Sequence, residues 1–327
     1  MVSRIDWIDA LKGFAILTVV IGHCVTDSLA SHTFPEYSNL LQLLYDAIYS
    51  FHMPLFFAIS GYVFYLTKSY NKWKIKALDF IIIYVIWSTL MWLSKYIMGG
   101  DVNHPVTVVN LLEIVYKPIM IYWYLYVLIV LYILVSCLKW EKVSWSLLGA
   151  TAATAVMVKI LQLDIGILNN TIYYMYYFLM GGVLQQSNLL PNLRTKHMII
   201  LGSLVLMNSI AHFIWIPASP IIVAIKTFLI ANCISLICFW IFSKIKVMEA
   251  FRIMGINTLQ IYVMHCFFTG GIRVLFKHMH LSNIGLYFLS ATFLGIVIPI
   301  LFAKLCKKVP VLNVVFEPKI RKWLRNG

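Results

Sequence analysis

Two histidines and a lysine carry the chemistry this sequence could perform. His23 stands in the apolar run Phe14-Ala15-Ile16-Leu17-Thr18-Val19-Val20-Ile21-Gly22-His23, eleven residues after Lys12. On a helix, eleven residues make three turns plus about 20°, so both side chains share one stripe, roughly 16 Å apart along the axis. A cation then stands at one mouth of the helix and an imidazole at depth. Neutral imidazole can accept a proton or act as a nucleophile. Asp27 follows one turn later, where a carboxylate can orient the His23 ring. His265 lies thirteen residues beyond Arg252, a depth of about 20 Å comparable with that of His23, so two imidazoles could line one cavity. The alternatives are a His23 bonded to a neighbouring helix, an Asp27 that starts a loop, and a His265 that packs against a backbone carbonyl.

Lys68, Lys72, Lys74 and Lys76, interleaved with Tyr70 and Trp73, form a basic turn. Such a turn anchors a membrane protein at the lipid surface, and its ammonium groups also suit a phosphorylated substrate as point charges. Aromatic stretches such as Tyr122-Trp123-Tyr124-Leu125-Tyr126 form interfacial belts, and their rings can also stack on a sugar. No H-x-x-x-H spacing and no carboxylate cluster argues for a metal. The six cysteines include no C-x-x-C pair and are expected to pack as small apolar residues.

Membrane helices must position these groups. The chain has 327 residues, 61% hydrophobic and 12% charged, with mean hydropathy +0.86. Soluble domains are near half apolar and a quarter charged. Ten segments are long and apolar enough to span a bilayer: 11–29, 46–66, 77–98, 118–138, 145–163, 171–187, 197–216, 220–242, 253–272 and 284–303. The second is expected to be interrupted at Pro54. The expected fold is therefore all-α, a polytopic transmembrane bundle of about ten spans in one domain over 1–327. Continuous apolar runs, rather than alternation, exclude a membrane barrel.

Charge placement orients the bundle. With the N-terminus in the cytoplasm, 20 of the 26 Lys and Arg residues fall in cytoplasmic segments, as the positive-inside rule requires. Lys95, Lys117, Arg273 and Lys277 are then assigned outside, and both termini inside. The net charge of +14 is thereby explained by topology, and its scatter over many segments excludes a nucleic-acid partner. The basic tail, about 304–327, is expected to rest on anionic lipid. Asp6 and Asp9 before the first span argue against a cleavable signal peptide.

The segment Arg4-Ile5-Asp6-Trp7-Ile8-Asp9-Ala10-Leu11-Lys12-Gly13, followed by Gly22-His23, resembles the opening signature of the membrane acyltransferase-3 family. Phe51-His52-Met53-Pro54-Leu55-Phe56-Phe57 with Ser60-Gly61-Tyr62 resembles its second signature. Trp123-Tyr124-Leu125, Tyr177-Phe178-Leu179-Met180-Gly181, and Gly255 through Ile261-Tyr262 to His265 resemble later elements. The short form is most similar to the fucose 4-O-acetylase-like branch. The resemblance implies an enzyme of the bacterial inner membrane that moves an acetyl group from cytosolic acetyl-CoA to a hydroxyl of a cell-envelope glycan or lipid-linked sugar. His23 would be base or acyl carrier, with Asp27 and His265 beside it. Lys12, Lys72, Lys74 and Lys76 would meet the coenzyme A phosphates, and Tyr62, Trp123 and Tyr124 the acceptor. The family's R-x-x-R element is replaced here by Lys76-Ala77-Leu78-Asp79, without the bidentate forks of arginine. The rival from another class is a transporter or flippase with His23 and His265 in a proton relay; against it, no inverted repeat is visible.

Overall fold

The computed structural model describes residues 4–162, 165–187, 189–213, 219–309 and 312–318, with no side chains described for 208–213. Its helices are α1 Asp6–Ser31, α2 Ser38–Tyr49, α3 His52–Leu66, α4 Trp73–Met98, α5 Val108–Glu113, α6 Trp123–Cys137 and α7 Trp145–Leu161. They continue as α8 Ile167–Gln186, α9 Leu189–Asn192, α10 Thr195–Phe213, α11 Pro220–Lys244, α12 Glu249–Ile256, α13 Thr258–His278 and α14 Ile284–Lys308. No strand occurs among the described residues.

The chain is an all-α, multi-pass membrane protein. Each of the ten expected spans overlaps helix among the described residues, and the ends of two of them, 163 and 214–216, lie outside those residues. Seven stretches among the described residues are long and apolar enough to cross a bilayer: Asp6–Ser31, Pro35–Leu66, Ser69–Asp101, Met120–Cys137, Pro220–Lys244, Thr258–His278 and Ile284–Lys308. Trp145–Leu161 and Thr195–Met207 are apolar but shorter. The remaining expected span coincides with α8, whose tyrosines and amides make it less apolar. Leu289 is 70% and Phe293 58% exposed on α14, side chains that water would penalise and lipid tails accept. Four basic residues of the expected tail, Lys319, Arg321, Lys322 and Arg325, lie outside the described residues, whereas Lys304, Lys307 and Lys308 end α14.

The interruption of the second span is not at Pro54. It falls at Ser50 and Phe51, and α3 begins at His52 with the Leu55 amide bonded to the Phe51 carbonyl at 2.9 Å. Pro54 then occupies the first turn, where a residue without N–H costs nothing because no partner is available there anyway.

The helices gather into two compact units, each drawn from separate stretches: 1–12, 50–73 and 130–252, and 13–49, 74–129 and 253–327. In the first unit, α3 and α8 touch backbone to backbone. A Cβ on Gly61 would run into the Phe178 carbonyl, and one on Gly181 into the Ala58 carbonyl. Flanking aromatics seal the contact: Phe57 stacks on Tyr174 at 4.4 Å, and the Tyr65 hydroxyl donates to the Trp140 carbonyl at 2.9 Å. Small residues allow this closeness, which in lipid replaces hydrophobic drive with packing.

In the second unit, Cys24, Val25, Phe34, Leu41, Phe276, Tyr287 and Ala291 form a core between the C-terminal part of α1, α2, the end of α13 and the start of α14. Gly295 lets α14 approach; a Cβ there would come within 3.3 Å of Val20 and Thr269 side chains and 3.7 Å of the His265 Cβ. The indole of Trp87 on α4 donates to the Val315 carbonyl at 2.9 Å, fixing the segment after α14.

Candidate active site

α1 runs unbroken through Lys12 and His23, so the stripe expected from their spacing is present. Lys12 already has an anionic partner in its own helix, the Asp9 carboxylate at 3.0 Å. Asp9 is 5% exposed, so this ion pair closes the first turns of α1 rather than leaving a bare cation.

The second unit brings His23 and His265 together, their ring centroids 5.1 Å apart and the planes inclined by 47°. His265 is fully buried. Its Nδ1–H donates to the Ile261 carbonyl at 3.0 Å and the Tyr262 carbonyl at 2.9 Å. A ring nitrogen facing two carbonyl oxygens must carry the proton, which leaves the lone pair on Nε2. The packing alternative is thus present, one nitrogen being fastened to the preceding turn of its own helix, while the other is left as an acceptor. Cys266 Sγ stands 3.3 Å from Nε2.

Two tyrosines lock this part of α13 in place. The Tyr122 hydroxyl donates to the Val263 carbonyl at 2.8 Å, and the Tyr262 hydroxyl donates back to the Ile121 carbonyl. Tyr124 packs edge-on against Tyr262, with centroids 5.3 Å apart. Replacing either hydroxyl by hydrogen removes one buried hydrogen bond between the two segments, a loss of about 0.5–1.5 kcal/mol. Tyr122→Phe and Tyr262→Phe are each expected to lower the thermal midpoint of the detergent-solubilised protein, and unchanged midpoints in both would remove the lock.

The other expected site residues are distributed as follows. Lys72, Lys74 and Lys76 are exposed around the start of α4. A helix N-terminus and three ammonium groups attract the same kind of ligand, an anion. Tyr62 belongs to the first unit, in an aromatic group with Trp7 and Phe239, at 5.6 and 5.7 Å between centroids. Trp123 is half-buried at the first residue of α6. Asp27 lines a cavity of about 90 Å³ together with Lys95, Asn103, His104, Cys266 and Arg273.

Lys95, at the outer end of the expected span 77–98, and Arg273, just beyond the span 253–272, were assigned to the outer side. The helices continue past them, and both are buried, at 7% and 3% exposure. The sequence carried the signal for Lys95, which lies inside the apolar segment 77–98 and is thus an intramembrane charge. Arg273 falls one residue beyond the expected end of its span, so its burial was invisible until α13 proved to extend to His278.

The fold also assembles a donor group that no local spacing shows. Ligand atoms of His23, His265 and Cys266 lie within 4.8 Å of one another. Such a trio has the composition of a three-ligand zinc site, and it is equally the arrangement that presents a base beside a thiol.

An acyltransferase-domain family profile matches residues 5–304, nearly the whole chain. The chain belongs to the acyltransferase-3 family. Among curated proteins, it is similar to nodulation protein NolL of Mesorhizobium japonicum, 29% identical over 159 residues, which cover 46% of this chain and 41% of that protein. It is also similar to nodulation protein NolL of Sinorhizobium fredii, 25% identical over 186 residues, covering 55% and 48%. The matched regions thus span about half the length of these relatives or less. No solved structure matches the chain.

Proposed function

We propose that this family member is a membrane O-acyltransferase that moves an acetyl group from acetyl-CoA to a hydroxyl of a cell-envelope carbohydrate. The observation that carries the reading is the His23–His265 pair, two imidazoles 5.1 Å apart inside the unit, one with its tautomer fixed. An acyltransferase-domain match over residues 5–304 supplies the reaction class.

In this reading, His23 takes the proton of the acceptor hydroxyl as the oxygen attacks the thioester carbonyl. The C–S bond breaks, and the departing coenzyme A sulfur receives that proton back from the His23 imidazolium. The products are the acetyl ester and free coenzyme A thiol. His265 Nε2 is an acceptor and acts as the positioning partner, favouring the His23 ring orientation and the charge it gains. Carriage of the acetyl by the His23 ring is the covalent variant of the same scheme. Coenzyme A phosphates meet Lys72, Lys74 and Lys76 at the cytoplasmic face, with Lys12 at the mouth of α1. Tyr124, one ring away from Tyr262, Trp123 and Tyr62 are offered to the acceptor. The topology is the charge-derived one, with both termini cytoplasmic in the bacterial inner membrane.

The same histidine pair would suit the proton relay of a transporter. Purified protein supplied with acetyl-CoA and envelope glycan separates the two, since acyl transfer releases free thiol and a relay releases none. No metal takes part in this scheme. Dialysis against a chelator is expected to leave thiol release unchanged; loss of activity restored by zinc would assign the His23, His265 and Cys266 group to a metal instead.

A further inference from the structure

The cavity at the end of α1 holds charges that the chemistry at His23 does not use. Arg273 and Lys95 are buried, at 3% and 7% exposure, on its wall. Each is tied by one hydrogen bond to the loop that follows α4: Arg273 Nη2 donates to the Asp101 carbonyl at 2.8 Å, and Lys95 Nζ to the His104 carbonyl at 2.9 Å. Asn103 in that loop donates to the Asp27 carbonyl at 3.3 Å. Guanidinium offers five N–H donors and ammonium three, so a carbonyl apiece leaves most of their capacity unspent. Among the described residues, no ion pair within 4.0 Å joins either cation to a carboxylate. Asp27 is the single acidic side chain on the cavity wall, against Lys95 and Arg273.

Holding two cations out of water is expensive unless charge and hydrogen bonds compensate them. Two backbone carbonyls could be capped by neutral donors at far lower cost. One carboxylate balances one cation, so a single negative charge is still wanted. The cavity of about 90 Å³ is well above the minimum needed for a bound water. It admits a carboxylate or a phosphate group.

Its position gives the anion a purpose. Cys266, beside His265 Nε2 at 3.3 Å, lies on the same wall. Arg273 follows His265 by eight residues of α13, roughly 12 Å of helix. The cavity is at the end of α1 that the charge bias places outside, away from the lysines assigned to coenzyme A.

We infer that Lys95 and Arg273 form an anion-binding subsite for the acceptor, so that the enzyme selects a saccharide bearing a carboxylate or phosphate group and holds it with a hydroxyl toward the histidine pair. This rests on the acyl-transfer reading for the word acceptor, but the anion site itself can be tested without any reaction. Arg273 and Lys95 are binding residues here, with Asp27 limiting the site to a single net charge.

Binding of three probes to the full-length detergent-purified protein decides the matter: methyl glucuronide, glucose 1-phosphate and the neutral methyl glucoside. At least one anionic probe is expected to bind about tenfold or more tightly than the glucoside, as a charge-assisted contact in a dry site should give. Preference for the glucuronide would point to an acidic sugar, and preference for the sugar phosphate to a phosphate-linked acceptor. Arg273→Gln and Lys95→Gln should each erase that preference, while Arg273→Lys keeps part of it. Equal binding of all three probes by wild type overturns the inference without any variant, and so does a preference that survives the Arg273→Gln, Lys95→Gln double substitution. Thiol release from acetyl-CoA, measured on the same preparation, stands apart. Its absence with envelope glycan present counts against acyl transfer, whereas its presence without anion preference counts against this subsite alone.

Discussion

Replacing His23 by alanine is expected to reduce acetyl transfer by at least about a hundredfold, the usual contribution of a positioned general base. The loss should appear in kcat and in kcat/KM alike, because the imidazole acts on the proton in flight and not on ground-state binding. If His23 carries the acetyl itself, the loss is larger still. The substitution removes a half-buried side chain from the middle of α1, so the helix and its insertion are expected to persist, as judged by elution profile and thermal midpoint. His265→Ala should give a smaller loss together with a changed pH profile, because in the proposed scheme its ring, 5.1 Å from that of His23, positions it. An intact rate in correctly inserted His23→Ala protein would remove the mechanism.

The second large effect is on folding. Gly61 and Gly181 are expected to tolerate no side chain, because the atoms in the way are the backbones of Phe178 and Ala58 and not flexible side-chain ends. Gly181→Leu or Gly61→Leu must separate α3 from α8 and break the Phe57–Tyr174 stack and the Tyr65–Trp140 hydrogen bond. A cost on the order of 4–5 kcal/mol or more places such variants in the severe tail of single substitutions. Much of a typical domain's stability is lost with it. Neither variant should accumulate as monodisperse protein. Gly202→Ala is the control, since a Cβ there meets nothing within 4 Å and alanine favours helix. A Gly181→Leu protein as stable as wild type would mean that the α3–α8 contact is absent.

The histidine and lysine of α1 were legible because their relation lies within one helix, where 3.6 residues per turn convert sequence distance into a shared stripe. The meeting of His23 with His265 was legible only as equal depth. Their actual adjacency depends on which helices neighbour each other, and here on Gly295 admitting α14 beside Val20 and His265. Pairwise packing of that kind leaves no periodicity in a single sequence. The tautomer of His265 was equally hidden, being fixed by carbonyls of its own preceding turn.

Lys95 and Arg273 escaped for a different reason. Counting charges along the chain assigns any cation near the end of a span to the adjoining side of the membrane. That rule orients a bundle well and fails locally where a helix runs on and its last cations turn inward. Pro54 misled in the opposite direction, since proline breaks a helix only after its first turn, and α3 starts two residues before it. Cys266, taken as a packing residue, gained its chemical neighbour only from the three-dimensional position of the His265 ring.

The account is tested most directly by supplying acetyl-CoA, labelled in the acetyl carbon, to the cytoplasmic face of sealed membrane vesicles that contain the protein and native envelope glycan. Label should enter the saccharide as an ester, matched by release of one free coenzyme A thiol per acetyl group, and neither should occur with the His23→Ala protein. Vesicles that release no thiol and leave the saccharide unlabelled, with the wild-type protein correctly inserted, would contradict it.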